Sequence, residues 1–382
     1  MALLTYCVPC LFGLEGLAAA ELRRLGMENV RAQDRRVFFD GRPLDLARAN
    51  LRLRTGERVM ILLGRFEAPT FDALYEGVRA LPLEDFVPRD GAFPVKGYSL
   101  SSALHSVPDC QAIVKKAAAD RLGQAWGLTW LPETGPLYQI HFSIMKDLCE
   151  VFLDTSGPGL HKRGYRATAN LAPLHETMAA ALVELSKYRG KEVFWDPFCG
   201  SGTILIEAAL TARNRVPGLG RGFAAERWPL LGPELWQEAR TEALDGEFRG
   251  PYRLFGGDID RQSLAIAAHN ARKAGVEKDI TWREADARRA APPAERGVLV
   301  TNPPYGERML ERREAQALLR AFGRRARELS FYRLFLLSSD PEFEALYGRK
   351  AQKRRKLYNG RLQCNVYQYE EGAPRAHGGN HP

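Results

Sequence analysis

The chain contains 382 residues, more than one ordinary domain holds, and this length predicts two or three domains. Hydrophobic residues make up 45% and charged residues 26%, a composition that excludes a disordered or collagen-like protein. The 55 lysine and arginine residues outnumber the 46 aspartate and glutamate residues, so the net charge is +9 and an anionic partner such as nucleic acid is favoured. No apolar run approaches the length of a membrane span and no signal peptide is evident, so we expect a cytoplasmic protein without a membrane partner.

The six cysteines are scattered along the chain without the spacing of a disulfide framework. Cys7 and Cys10 form a single C-x-x-C pair, with no second pair and no histidine nearby. We therefore interpret them as two small buried apolar residues rather than a zinc or redox site, and predict no metal site.

Residues 1–57 are predicted to form a small α+β domain. Apolar residues at helical spacing predict helices over residues 14–25 and 44–53, and residues 36–39 predict a strand between them.

Residues 58–155 are predicted to form a second α+β domain with the same kind of alternation. Its predicted strands are 59–63, 93–100, 138–144 and 149–153, and its predicted helices are 71–81 and 110–122.

Residues 156–190 are predicted to be a linker. Gly157, Pro158 and Gly159 break the pattern, and a basic segment with an interleaved tyrosine follows at residues 161–166. Both a solvated linker and a segment that contacts a nucleic-acid backbone remain open for these residues.

Residues 191–382 alternate strands with helices, which predicts an α/β domain with a parallel sheet wound on both faces. Its predicted strands are 193–196, 254–258, 280–283, 298–301 and 332–338, and its predicted helices are 203–213, 262–274 and 315–329. The pair Asn359 and Gly360 then predicts the turn of a closing antiparallel hairpin, because both positions accept positive φ.

The segment D-P-F-C-G-S-G-T at residues 196–203 follows the first of these strands and opens a helix. Its glycines let the backbone approach a ligand closely, and the helix N-terminus supplies N–H groups. The segment is neither a dinucleotide fingerprint nor a P-loop, and it has no lysine for a phosphate. Asp196, directly before the glycine turn, favours a ligand with a positive centre such as an ammonium or sulfonium group.

Acidic residues also follow the next two strands. Asp258 can accept hydrogen bonds from ribose hydroxyls, and Asp286 can accept from an adenine amino group. Because three successive strand ends each carry an acid, we favour a nucleoside cofactor over isolated helix caps.

The segment Asn-Pro-Pro-Tyr at residues 302–305 ends the fourth strand. Its two prolines remove two backbone donors and stiffen the loop. Asn302 and the Pro303 carbonyl can accept the two N–H groups of an exocyclic amine, while Tyr305 can stack on the base. The motif therefore predicts a site for an amino group of a nucleobase.

The segments 196–203 and 302–305 resemble the first and fourth motifs of class I S-adenosylmethionine-dependent methyltransferases that modify exocyclic amino groups, and the hairpin fits their seven-stranded sheet. Residues 93–98, 111–117 and the strands up to residue 154 resemble a THUMP RNA-binding domain, and residues 13–17 and 52–59 resemble the ferredoxin-like domain that precedes it. Residues 161–166 and 174–177 match the segment that leads into the catalytic domain. Nearly the whole chain resembles the bacterial THUMP-containing RNA guanine-N2 methyltransferases of the large-subunit ribosomal RNA type.

This resemblance implies that the protein is an RNA methyltransferase that uses S-adenosylmethionine and modifies the N2 amine of a guanosine, most simply in 23S ribosomal RNA. The implied catalytic residues are Asn302, Pro303, Pro304 and Tyr305. The implied cofactor-binding residues are Asp196, Pro197, Phe198, Cys199, Gly200, Ser201, Gly202, Thr203, Asp258, Ile259, Asp286, Ala287 and Asn302. The transfer needs no covalent intermediate, so no nucleophilic role is assigned to Cys199.

Basic residues gather in a few segments, most densely at residues 349–361, where no acid interrupts them. Such unmixed charge favours contact with a phosphate backbone over a merely solvated face. The predicted RNA-binding residues are Lys115, Lys116, His161, Lys162, Arg163, Arg166, Arg308, Arg354 and Arg355.

Residues 214–250 separate the first and second strands of the sheet by far more than the roughly 20 residues of a minimal βαβ unit. The resembling family shares this insertion. We predict a loop beside the cofactor-binding loop that shapes the entrance for RNA.

Three other functions remain open. A tRNA guanine-N2 methyltransferase would differ from the favoured enzyme only in the RNA that it modifies. A DNA adenine-N6 methyltransferase would use the same Asn-Pro-Pro-Tyr segment, although the THUMP-like region favours RNA. A non-catalytic RNA-binding protein is disfavoured by the intact glycine loop.

Overall fold

The computed structural model describes residues 3–166, 174–304, 309–329, 331–360 and 362–370, and these residues form two units. The described residues of the N-terminal unit are 3–10, 18–160 and 221–242. Those of the C-terminal unit are 11–17, 161–166, 174–220, 243–304, 309–329, 331–360 and 362–370. Within the described ranges, no helix is both long enough and apolar enough to cross a membrane.

A mixed seven-stranded sheet organises the N-terminal unit, with the strand order β2-β3-β1-β4-β7-β6-β5. Its strands are β1 (Leu4–Pro9), β2 (Glu28–Gln33), β3 (Arg36–Gly41), β4 (Met60–Glu67), β5 (Val95–Leu100), β6 (Ile140–Met145) and β7 (Leu148–Asp154). Strands β5 and β6 are parallel, whereas the other neighbours are antiparallel. Because β1 pairs with β4, with Tyr6 opposite Ile61, the predicted domains 1–57 and 58–155 share one sheet.

The predicted helices of this unit are confirmed with shifted ends. They are α1 (Glu15–Arg24), α2 (Pro43–Arg52), α3 (Phe71–Arg79) and α4 (Val107–Trp126). Helix α3 begins where the Thr70 hydroxyl accepts a hydrogen bond from the Ala73 amide at 3.2 Å, and α4 ends at Gly127, whose φ of +65° favours glycine.

The C-terminal unit contains a second seven-stranded sheet, ordered β10-β9-β8-β11-β12-β14-β13. Its strands are β8 (Phe194–Asp196), β9 (Leu254–Asp258), β10 (Ile280–Glu284), β11 (Arg296–Thr301), β12 (Phe331–Ser338), β13 (Lys353–Asn359) and β14 (Leu362–Tyr369). Neighbours from β10 to β12 are parallel, and β14 lies antiparallel between β12 and β13. The predicted parallel sheet with an antiparallel closing hairpin is confirmed.

Helices cover both faces of this sheet through two separate apolar clusters. Helices α5 (Glu176–Leu185), α6 (Thr203–Ala212) and α8 (Arg261–Ala274) pack on one face, whereas α9 (Met309–Ala326) and α10 (Phe343–Tyr347) pack on the other. Helix α5 corrects the prediction that all of residues 156–190 are linker, because Met178 and Leu182 are fully buried in the first cluster.

The insertion also differs from the prediction. It contains helix α7 (Pro233–Asp245), and residues 221–242 fold in the N-terminal unit rather than as a loop of the C-terminal unit. The Trp228 indole stacks on Tyr138 with ring centroids 4.6 Å apart and donates a hydrogen bond to the Leu137 carbonyl at 2.9 Å. Phe223, Trp228 and Trp236 of the insertion are buried and therefore add to the apolar core of the N-terminal unit.

Candidate active site

The carboxyl ends of β10, β9, β8 and β11 lie side by side in the C-terminal sheet. Asp286 follows β10, Asp258 ends β9, Asp196 ends β8 and Asn302 follows β11. Open α/β sheets bind ligands outside the carboxyl ends of their strands. The sheet order therefore brings together the four segments that the sequence singled out.

Asp196 is a buried carboxyl, with 1% of its surface exposed. Its Oδ1 accepts hydrogen bonds from the Thr301 hydroxyl at 2.6 Å and from the Phe198 amide at 3.1 Å. Burial raises the pKa of Asp196 to about 7, with a smaller contribution from the nearby Asp258 carboxylate, although the two hydrogen bonds oppose this rise. A cation bound beside Asp196 would favour the ionised carboxylate and lower this pKa again.

The loop between β8 and α6 depends on two glycines with positive φ, +49° at Gly200 and +81° at Gly202. A Cβ atom on Gly202 would lie 2.9 Å from the Ala267 Cβ and from the Trp282 ring, so this position requires glycine. A Cβ on Gly200 would meet no described atom within 4 Å, which indicates space on that side of the loop. The Ser201 carbonyl accepts a hydrogen bond from the Asn270 side chain at 3.2 Å, which fixes the loop over α8.

The Asp258 carboxylate holds the same loop from its other side. Its Oδ2 accepts from the Gly200 amide at 2.9 Å, and its Oδ1 accepts from the Asp260 amide at 2.9 Å. Each carboxylate oxygen can accept more than one hydrogen bond, so these contacts leave capacity for ribose hydroxyls. The next residue, Ile259, is 68% exposed, and burying such a side chain against a flat apolar ring would be favourable.

Asp286 carries an ion pair that the sequence did not indicate. The Arg288 guanidinium lies 2.6 Å from the Asp286 carboxylate and holds the pKa of that carboxyl below its usual range. The neighbouring Ala287 is buried.

Residues Phe198, Cys199 and Thr203 complete the described lining of the loop. Phe198 meets Phe322 edge to face, with ring centroids 5.0 Å apart. Cys199 is 6% exposed, and burial raises the pKa of its thiol well above the usual range, so the thiol stays protonated. The Thr203 hydroxyl accepts a hydrogen bond from Arg166 at 3.1 Å.

The segment after β11 begins with a fully buried Thr301, followed by a half-buried Asn302, a buried Pro303 and an exposed Pro304. The predicted residues Tyr305 and Arg308 lie outside the described residues. Thr301 is a site residue that sequence analysis missed. Its signal was a hydroxyl residue directly before Asn302 at the end of an apolar strand.

Two arginines of the basic segment 161–166 are turned inward. Arg163 is 3% exposed, and its Nε lies 3.4 Å from the Glu207 carboxylate, which is itself fully buried. The Tyr165 hydroxyl donates to the same carboxylate at 3.1 Å. Arg163 is therefore corrected from a predicted RNA contact to a buried partner of Glu207.

Arg166 likewise has internal partners. Its Nε lies 3.0 Å from the Glu176 carboxylate, in addition to the contact with Thr203. In the same segment His161 is half-buried with its ring 4.6 Å from the His175 ring, and Lys162 is exposed. Lys162 is thus the member of this segment that is best placed to meet an external phosphate.

The other predicted basic residues differ in exposure. The Lys115 ammonium lies 2.5 Å from the Glu133 carboxylate and 3.4 Å from the centroid of the Phe93 ring, whereas Lys116 is exposed. The Arg354 side chain is 59% exposed. Arg355 is half-buried and donates a hydrogen bond to the Gly13 carbonyl at 2.6 Å.

The donor set fits S-adenosylmethionine. A buried carboxyl can face its positive groups, a glycine turn opens toward the N-terminus of α6, and two further strand ends offer carboxylates together with an exposed isoleucine. The parallel sheet with its closing hairpin and this loop define a class I S-adenosylmethionine-dependent methyltransferase.

Comparison with known proteins agrees with this class. A family model described as an RMKL-like methyltransferase domain matches residues 163–368, an RlmL ferredoxin-like model matches residues 5–60, and a THUMP model matches residues 68–154. The chain is 42% identical to YpsC of Bacillus subtilis, described as a putative RNA methyltransferase, over 94% of this chain and 93% of that protein. It is 32% identical to the ribosomal RNA large subunit methyltransferase K/L of Psychromonas ingrahamii over 96% of this chain, but it spans only 50% of that protein.

Two solved structures are similar over nearly their full length. One is from Listeria monocytogenes, is described as a predicted N6-adenine-specific DNA methylase, and shares 43% identity with a TM-score of 0.93 over 97% of both chains. The other is SMU.472 in complex with SAH, which shares 37% identity with a TM-score of 0.92 over 98% of this chain and 99% of that chain. The chain belongs to the RMKL-like methyltransferase family, carries ferredoxin-like and THUMP domains ahead of the catalytic domain, and uses S-adenosylmethionine.

Proposed function

We propose that this methyltransferase modifies the N2 amine of a guanosine in RNA, with large-subunit ribosomal RNA as the favoured substrate. The observation that carries the proposal is the hydrogen bond between Thr301 and Asp196, with a donor–acceptor distance of 2.6 Å. Thr301 directly precedes Asn302. A single buried hydrogen bond therefore couples the Asp196 carboxyl, on the cofactor side of the site, to the segment that would hold the amine of the substrate. Such coupling suits a reaction in which donor and acceptor must be aligned.

RNA is favoured as the substrate for two reasons. Residues 68–154 match a THUMP model, and THUMP domains bind RNA. The relatives in Bacillus subtilis and Psychromonas ingrahamii are both named for RNA methylation.

On the cofactor side, Asp196 would face the positively charged end of S-adenosylmethionine, and the glycine turn would bring backbone N–H groups close to it. Asp258 would accept from the ribose hydroxyls, Ile259 would cover the adenine ring, and Asp286 beside Ala287 would accept from the adenine amino group. When bound, S-adenosylmethionine supplies an electrophilic methyl group.

On the substrate side, the Asn302 side-chain oxygen and the Pro303 carbonyl would accept the two N–H groups of the amine. This arrangement points the nitrogen lone pair toward the methyl group and stabilises the positive charge that develops on nitrogen. Correct alignment of reactants can contribute roughly 7–11 kcal/mol, so orientation would supply much of the rate. A paired base must first leave its stack at a cost of a few kcal/mol, which Tyr305 would offset by stacking.

The direct test is nucleoside mass spectrometry of RNA and, separately, of DNA from cells that lack this protein. Loss of N2-methylguanosine at one large-subunit position is expected. Loss from tRNA instead would establish the tRNA alternative, and loss of N6-methyladenosine from DNA would support the function in the Listeria protein's description.

The variant Asn302→Ala tests the proposed site itself. Methyl transfer to RNA is expected to fall at least about 100-fold, because the variant loses one acceptor that orients the amine and stabilises its developing charge. RNA binding, measured separately, should stay nearly unchanged. Full activity in this variant would refute the role of Asn302.

A further inference from the structure

The closing hairpin extends past the strand end that carries Asn302. In the sheet register Leu336 is level with Thr301, and Tyr367 is opposite Leu336. Asn365 lies opposite Ser338, two residues farther out, and pairs with Lys356. The described hairpin residues beyond Lys356 and Asn365 therefore project past the carboxyl edge of the sheet, on the side of the candidate active site.

One face of this hairpin is only partly covered. Phe343 of α10 stacks on Tyr367 with ring centroids 4.1 Å apart, and both residues are buried. Farther out, Asn365 is half-buried and Gln363 is exposed. The face is thus open at Asn365 and Gln363.

The open face forms a groove of about 430 Å³, a volume within the range of small-ligand sites. We call it the hairpin groove, and it is lined by Pro341, Arg354, Lys356, Gln363, Asn365 and Tyr367.

The lining of the hairpin groove has a definite chemistry. It offers two cations, Arg354 and Lys356, and two side-chain amides, Gln363 and Asn365, with no acid among the described lining residues. The nearest described acid of Arg354 is Glu344 at 3.8 Å, and the Arg354 side chain remains 59% exposed beside it. The Lys356 ammonium lies 5.4 Å from the centroid of the Tyr358 ring, and Lys356 is exposed.

We propose that the hairpin groove binds the single-stranded RNA that flanks the target nucleotide, with Arg354 and Lys356 on its phosphates and with Gln363 and Asn365 on the edges of a base. This inference rests on the proposed function. Cations on phosphates position a strand without reading it, whereas side-chain amides can donate to and accept from base edges. The lining supplies both kinds of contact side by side.

The distance from the site fits this role. Three strand spacings of about 4.8 Å separate β11 from β13, so the groove lies roughly 15 Å from Asn302 across the sheet. In the RNA strand, a nucleotide in the groove would therefore be close in sequence to the nucleotide whose base is modified. The groove therefore supplies a contact that selects the flanking sequence.

The test measures binding of a library of short single-stranded RNAs, each with one guanosine among randomised positions, in the presence of SAH. Lys356→Gln is expected to weaken binding and to reduce the slope of log affinity against log salt by about 0.7, the value for one phosphate contact on a single strand. Affinity for S-adenosylmethionine should not change.

Lys353→Gln is the matched control. It removes the same charge from the same strand, but Lys353 alternates to the other face of β13, where it lies 3.6 Å from Glu370. Equal effects of the two substitutions on affinity and salt slope would overturn the proposal. Lys356→Arg should restore the phosphate contact, and its failure would count against that contact.

Base reading has its own test. Asn365→Ala is expected to lower overall affinity slightly and to flatten the base preference at one library position. An unchanged preference at every position would refute the base contact of Asn365.

The two proposals fail separately. If the library binds through Lys356 but its guanosine is never methylated when S-adenosylmethionine replaces SAH, the proposed function is wrong and the groove stands. If guanosine is methylated and every groove variant behaves like Lys353→Gln, the groove assignment is wrong and the function stands.

Discussion

The basic segment at residues 161–166 and the basic strand β13 look alike in sequence but differ in the folded chain. In the first, Arg163 and Arg166 pair with Glu207 and Glu176, acids that lie in helices α6 and α5. In the second, Arg354 keeps 59% of its side chain exposed. A run of positive charge therefore stays available to an external phosphate only where no distant part of the chain supplies buried acids to meet it.

The sharpest way to break this comparison is Arg163→Met. The substitution would leave the buried Glu207 carboxylate without its cation, so the free energy of unfolding of the C-terminal unit should fall by about 3–5 kcal/mol. Chemical denaturation followed by tryptophan fluorescence would measure the loss. The double variant Arg163→Met with Glu207→Gln should recover part of it, whereas normal stability with weakened RNA binding in the single variant would restore Arg163 as an RNA contact.

Asp196 provides a buried acid to compare with Glu207 and Glu176. Its described partners are a hydroxyl and a backbone amide rather than a cation. Its pKa in the folded protein, about 7, lies above the ordinary value near 3.8, so its contribution to stability is fully present below pH 4 and is lost as pH rises toward 7. The free energy of unfolding without cofactor should therefore fall by a few kcal/mol across this range. Asp196→Asn should remove that fall in a series of denaturation curves measured at different pH values. An unaltered pH dependence in this variant would show that Asp196 does not cause the fall.

The smallest effects are expected at the exposed members of the two segments. Lys162→Gln and Arg354→Gln should each change the free energy of unfolding by no more than about 0.5 kcal/mol, because neither side chain is buried. Each should still lower RNA affinity in a salt-dependent way if it meets a phosphate. RNA titrations of each variant at several salt concentrations would measure the change in affinity, and denaturation curves would measure the change in stability. A loss of stability in either variant would show that the exposure of a side chain does not by itself predict its contribution to the free energy of unfolding.

The sequence predicted the elements that apolar spacing and glycine turns define. The succession of strands β8 to β14 along the chain and the glycine loop at residues 196–203 follow from such local patterns. Contacts between distant residues did not, since nothing near Arg163 in sequence indicates Glu207, and nothing near Asp196 indicates Thr301. Helix α5 was missed because residues 157–166 are rich in turn-forming and basic residues. These residues predicted a linker, and the predicted linker was extended beyond Glu176, where the helix begins.

The packing of Trp228 on Tyr138 has a consequence for how this protein is made and divided. A ribosome must translate β8 and the whole glycine loop before it reaches the segment 221–242 that completes the N-terminal core. Truncation after residue 160 would leave Tyr138 without its stacking partner and the Leu137 carbonyl without its indole donor. The N-terminal unit, with its THUMP domain, therefore cannot be separated intact by cutting the chain at a single peptide bond. Recombination between relatives would have to exchange the residues up to 160 and the segment 221–242 together.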